Sequence, residues 1–150
     1  MLGVVVWFAF NSHFSAWYGS EVSYVAPVYA GVNMEGKVEA MKEDILNRLM
    51  ACESAGHSED AGIIVFDSNK EPSVGQLQFQ RDTVRHFYKV LYDQEITRKD
   101  AVMIALDTAK ARQLASDIIW KVDGGVYEWA NCARKTGIVP EITTIKKLYE

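Results

Sequence analysis

The 150-residue chain reads as a mainly helical α+β domain. Apolar residues recur at helical spacing in several stretches between positions 37 and 122. A single short β-prone run, Gly-Ile-Ile-Val-Phe at 62–66, interrupts that series after its first member. The length suffices for one domain with its own core. Hydrophobic residues make up 49% of the chain and charged residues 24%, an ordinary globular balance. Nothing points to a solenoid or a coiled coil, because there is no internal repeat, low-complexity tract or heptad run.

Taken in order, residues 1–33 are rich in aromatic and β-branched side chains, with Gly19, Pro27 and Gly31 as punctuation and no helical period. Residues 2–10 are almost wholly apolar, yet too few to span a bilayer as a helix. They fit the apolar core of a signal peptide, although the first basic residue is Lys37 and the usual basic start is missing. They equally fit a strand or packing arm. We read 1–33 as a signal-like or linker arm. The expected location is secreted, periplasmic or at the cell surface, with membrane association at the N-terminus.

Residues 37–52 predict a helix. Val38, Met41, Ile45, Leu49 and Cys52 share one face, and Leu46 and Met50 widen it. Gly56 is suited to ending it. Asp67-Ser68-Asn69-Lys70 is a turn sequence after the β-prone run, and Ser73 to Gln76 reads as the returning half of a small hairpin. Helical spacing resumes over 81–92 with Val84, Phe87, Tyr88 and Leu91. Thr97 with Asp100 matches a capping box for the next helix, which carries Val102, Ala105 and Leu106. Asp107 caps a further helix over 108–122 with Ala111, Leu114, Ala115, Ile118 and Val122 on its apolar face, stopped by Asp123-Gly124-Gly125. A short aromatic segment with Trp129 and Cys132 follows. Gly137 and Pro140 frame a break. The expected domain therefore runs over 34–137, with 138–150 as a C-terminal extension.

A net charge of −4 gives no support for nucleic-acid binding. There is no P-loop, no G-x-G-x-x-G and no G-x-S-x-G elbow. No C-x-x-C pair exists, and His13, His57 and His86 lack metal-ligand spacing. The chain is therefore expected to use no metal and no cofactor, and to act as a monomer. A Cys-His nucleophile pair has only residue type in its favour. Cys52 and Cys132 are either buried thiols or one disulfide, which would close a loop of roughly 80 residues.

Glu53 is the first candidate for chemistry. It follows the buried face of the first helix, and both burial and the helix C-terminus disfavour its anion. An acid so raised can protonate a leaving oxygen near neutral pH. Taken alone, Glu53 fits an ordinary solvated helix-end carboxylate better. The wider pattern changes that reading. Glu53-Ser54, a β segment, Ser73-Val74-Gly75-Gln76-Leu77-Gln78-Phe79-Gln80 and then helices up to about residue 133 follow one another in order.

This arrangement resembles the lysozyme-like superfamily, closest to the soluble lytic transglycosylase and goose-type lysozyme catalytic domains. There a helix ends in a catalytic Glu-Ser, and a Gly-Leu-Met-Gln-like motif lies on the far wall of the cleft. In this chain the gap between the motifs is longer, Gln76 stands where an apolar residue is usual, and Cys52 directly precedes the acid. The resemblance implies a lysozyme-like helical domain with a small β-hairpin after the catalytic helix. It implies a glycosidase that cleaves the β-1,4 bond between N-acetylmuramic acid and N-acetylglucosamine, with the peptidoglycan glycan strand as partner. Glu53 would be the general acid, and in a transglycosylase then the base. Gln78 would line the cleft, with Ser54, Ser73, Gly75 and Tyr127 as further substrate-binding residues, the two serines serving either there or only as turn caps. Asp67 is the best second carboxylate, which a hydrolase needs, and is also a natural turn residue; Asp60 is a weaker one. Tyr88, Tyr127 and Trp129 either stack on sugar rings or pack in the core. A Cys52–Cys132 bridge would brace the helix behind Glu53. The alternative is a catalytically inactive lysozyme-like domain that binds glycan or a partner protein.

Overall fold

The computed structural model describes residues 33–55, 62–66 and 71–148. Most of the expected N-terminal arm, together with Gly56, Asp60 and the 67–70 turn, lies outside them. The described residues form a mainly helical structure with a small three-stranded antiparallel sheet, the α+β class expected.

Helix α1 (Met34–Glu53) buries Val38, Ile45, Leu46, Leu49 and Met50, the face that the spacing marks. Met41 departs from it and is 42% exposed, so the buried stripe is narrow over the first turns. Strands β1 (Ile64–Phe66) and β2 (Pro72–Val74) pair in antiparallel register, with Val65 opposite Ser73. A third strand, β3 (Phe79–Gln80), pairs with β2 so that Ser73 faces Gln80 and Val74 faces Phe79. All three residues of β1 are exposed, Phe66 at 72%. Its β-branched residues make it a strand through backbone pairing, not through burial.

Helix α2 (Arg81–Tyr92) buries Val84 and Phe87 and ends on Asp93 in the left-handed region, φ 54°. Helix α3 (Arg98–Leu106) opens with the expected capping box. Thr97 Oγ1 accepts from the Asp100 amide at 3.1 Å, and the Thr97 amide donates to Asp100 Oδ2 at 3.2 Å. Asp107 Oδ1 caps α4 (Thr108–Lys121) by accepting from the Lys110 amide at 3.1 Å. These caps satisfy amides that a helix start leaves without partners. Helix α4 buries Ala111, Leu114, Ala115, Ile118 and Ile119, and packs against α1, α2 and α3. Burial of each large aliphatic side chain contributes about 1.5–3 kcal/mol.

A 3-10 turn (Gly125–Trp129), α5 (Ala130–Thr136) and α6 (Ile138–Lys147) complete the chain. Pro140 stands in the first turn of α6, where an amide would have no acceptor within the helix. Gly137, with φ 70°, is the joint. The Gly137–Pro140 break thus starts a helix. Residues 138–150, read from the sequence as an extension, belong to the same compact unit as the rest of Met34–Glu150, and Ile138, Ile142 and Ile145 are core residues. The expected boundary at 137 marks only a bend inside that unit. Arg48 fastens α6 to α1. It meets Glu141 through two bonds, at 2.9 and 2.6 Å, and donates to the Thr136 carbonyl at 3.2 Å. Those bonds hold the Glu141 carboxyl below its ordinary range.

A second polar tie joins α2 to α4. Buried Asp117 accepts from the Tyr92 hydroxyl at 2.5 Å and pairs with Lys121 Nζ at 2.7 Å. Burial alone would raise this carboxyl, but hydrogen bonds from Lys121, Tyr92 and Gln113 outweigh it and hold Asp117 below its usual value. A group lowered in the folded state stabilises the fold above its unfolded pKa, and that contribution is lost as pH falls through the folded value. Asp117→Asn is expected to lower stability at pH 7 by about 1–3 kcal/mol. The gap from wild type should narrow as pH drops below about 4. Urea unfolding of both proteins at neutral and acid pH measures it.

Candidate active site

The end of α1 carries the proposed acid. Two bonds close the helix there: the Ser54 amide and the Ser54 hydroxyl both donate to the Met50 carbonyl, at 2.9 and 2.8 Å. The chain then turns left-handed at Ala55, φ 51°, one residue before the expected Gly56. An alanine in that region costs about 1–2 kcal/mol, so the surrounding structure holds it there. Immediately before Glu53, Cys52 is bonded to Cys132 of α5, with Cα atoms 5.7 Å apart. The disulfide alternative is the one realised.

The second motif, Gly75-Gln76-Leu77-Gln78, is the loop of the β2–β3 hairpin. Gly75 has φ 74°, the reason a glycine is needed, and its amide donates to the Ile63 carbonyl at 2.8 Å. The Gly75 carbonyl accepts twice from Gln78, from its amide at 3.1 Å and from Nε2 at 2.7 Å. Gln78 itself is left-handed, φ 49°. The buried Trp129 indole donates to the Leu77 carbonyl at 2.8 Å and meets the Phe79 ring edge-on at 5.2 Å. The hairpin loop and the 3-10 turn are thereby locked together. At the turn's other end, Gly125 is pressed onto α4: a Cβ there would lie 2.1 Å from the Ile118 carbonyl oxygen.

These elements surround a pocket of about 660 Å³, within the range of small-molecule sites. Glu53 and Ala55 line it from α1, and Val65 from β1. Ser73, Gln78, Phe79 and Gln80 line it from the sheet, and Thr83 from α2. Tyr127, Glu128 and Trp129 come from the 3-10 turn, and Ala130, Asn131 and Cys132 from α5. Of the residues singled out from sequence, Glu53, Ser73, Gln78, Tyr127, Trp129 and Cys132 are therefore brought together. Ser54 and Gly75 are buried and are not among the lining residues; their roles are to end the helix and shape the loop. Asp67 lies outside the described residues. Tyr127 is 59% exposed on the pocket wall, whereas Tyr88 packs edge-on against Tyr92 with ring centres 5.0 Å apart. Trp129 lines the pocket yet is 4% exposed, so packing is its main role.

Sequence reasoning missed Thr83, Gln80, Glu128 and Asn131. The signal for Glu128 was its place between two aromatic residues in a segment noted only for its rings. A second pocket, of about 300 Å³, is lined by Glu43, Leu46, Arg112 and Gln113 among others. Its guanidinium is engaged by Glu43, Asn47 and Met50 and joins α1 to α4. Among the described residues, no group of three His, Cys, Asp or Glu could hold a metal ion, and no helix is long and apolar enough to cross a membrane.

The way the walls are fastened has measurable outcomes. Unfolded, non-reduced protein should titrate no free thiol, and replacing both cysteines by alanine should cost about 2–5 kcal/mol in denaturant unfolding. Gly125→Ala should destabilise by at least about 2 kcal/mol, because backbone must move to admit the Cβ. Gly137→Ala has open space and only its φ of 70° against it, and should cost about 1 kcal/mol; thermal melts compare the two.

No family model, curated protein or solved structure matches the chain.

Proposed function

We propose that this pocket is the active site of a peptidoglycan-cleaving glycosidase with a lysozyme-like domain, in which Glu53 is the general acid at the β-1,4 bond between N-acetylmuramic acid and N-acetylglucosamine. The observation that carries the reading is that Glu53 and Gln78 line one pocket. The resemblance requires such a meeting of a helix-end acid and a Gly-x-x-Gln loop. Gln78 offers an amide to sugar hydroxyls or acetamido groups, with Ser73 lining the pocket from the same sheet and Tyr127 from the 3-10 turn. Backbone strain supports the reading as well. Ala55 and Gln78, both left-handed without being glycine, border the pocket from opposite motifs. Such strain is found where a site must be held in one shape, although Asp93, the third such residue, only ends α2.

In this reading Glu53 donates its proton to the glycosidic oxygen as the bond to the anomeric carbon breaks. The disulfide beside it accords with action outside the cytoplasm, where such bonds persist. Glu53→Gln keeps the size of the side chain and removes the acid. It should slow clearing of a purified cell-wall suspension by about 100-fold to 10,000-fold, with the melting temperature retained. Equal clearing by the two proteins removes Glu53 from the role. Saturable wall binding by wild type without release of fragments would establish the binding domain instead.

A further inference from the structure

We propose that Glu128 is the second carboxylate of this site, the general base that delivers a water molecule, so that the cleavage is a hydrolysis and not an intramolecular transglycosylation. The inference rests on the reading of Glu53 as the acid. Among the described residues, Glu53 and Glu128 are the two carboxylates on the pocket wall. They come from opposite ends of the domain sequence and share one frame. Glu128 sits on the 3-10 turn between exposed Tyr127 and buried Trp129. That turn is fastened by the Trp129 indole to the hairpin loop and by close packing of Gly125 on α4. A few residues on, Cys132 is bonded to Cys52, the residue next to Glu53. Both carboxylates therefore stand on backbone that is pinned, as a catalytic pair requires.

Their surroundings differ in the way the two roles demand. Glu53 is half-buried at a helix C-terminus beside the disulfide, whereas Glu128 is open to solvent. An enclosed carboxyl suits the proton donor, and a solvated carboxylate suits the group that takes a proton from water. In the step, the water oxygen attacks the anomeric carbon while Glu128 takes one of its protons. The bond from that carbon to the bridging oxygen breaks, its electron pair stays on the oxygen, and Glu53 supplies the proton there. The products are a reducing sugar and a free 4-hydroxyl. Proton exchange with bulk water resets both residues. If instead the sugar's own 6-hydroxyl were the nucleophile, no second carboxylate would be needed and the product would carry a 1,6-anhydro end.

The test uses the full oxidised chain and purified cell-wall glycan, with wild type, Glu53→Gln, Glu128→Gln and Glu128→Ala. Wild type should release reducing ends that carry one labelled oxygen when the reaction runs in ¹⁸O-water. Glu128→Gln should be slower by about 100-fold or more. Added azide should restore Glu128→Ala by forming a glycosyl azide, since azide needs no base. Anhydro ends, or Glu128→Gln at a rate close to wild type, would overturn the role of Glu128 while leaving Glu53 in place. Should Glu128→Gln be slow but also unstable, azide rescue of Glu128→Ala decides, and its failure assigns the loss to structure and overturns the proposal. Equal rates for wild type and Glu53→Gln would overturn the underlying reading, and this inference with it.

Discussion

A covalent bond between Cys52 and Cys132 joins two walls that the rest of the fold only brings close. One wall is the end of α1, closed by Ser54 on the Met50 carbonyl; the other is α5 and the 3-10 turn before it. Helix packing sets their separation to within the tolerance of side-chain contacts. The bond removes that tolerance at the point where the candidate acid stands. The Trp129 indole on the Leu77 carbonyl does the same for the third wall, through a single hydrogen bond in a buried setting.

The remainder of the domain supplies a stiff base for those ties. Helix α4 is the central element, with Ala111, Leu114, Ala115, Ile118 and Ile119 in the core. Polar links then fix how its neighbours are aligned: Asp117 with Tyr92 toward α2, and Arg112 with Glu43 toward α1. Arg48 with Glu141 does this between α1 and α6. Apolar burial provides most of the stabilisation but is indifferent to small rotations, whereas a two-bond guanidinium–carboxylate pair is directional. A base aligned in this way can hold Ala55 and Gln78 in a backbone region that their side chains disfavour.

The parts of this architecture that were legible in the sequence are those governed by local rules. The buried face of α1, the Thr97–Asp100 box, the Asp107 cap and the glycine stop after α4 each depend on a few neighbouring residues. Gly75 and Gln78 were legible as a pair only through the resemblance of their stretch to a Gly-Leu-Met-Gln-like motif. What escaped depends on distant partners. Strand β3 is two residues long and exists through its pairing with β2. Helix α6 hid behind Gly137 and Pro140, which punctuate a helix start as readily as an end. Met41 keeps the helical period yet is 42% exposed, whereas Val38 one turn earlier is buried. Glu128 has only its two aromatic neighbours to mark it, and the fastening of its segment to the hairpin brings it to the pocket.

The span of 80 positions between the two cysteines has a consequence for biogenesis. As the chain emerges during synthesis, α1 and the hairpin appear well before the segment that faces them. Until Trp129 and Cys132 have been made, Glu53 stands at a bare helix end with nothing opposite. Contacts of such long range form late in folding, and oxidation of the thiol pair can follow only when both ends have met. The pocket is therefore among the last features to mature, and a nascent or truncated chain holds the motif residues without a site.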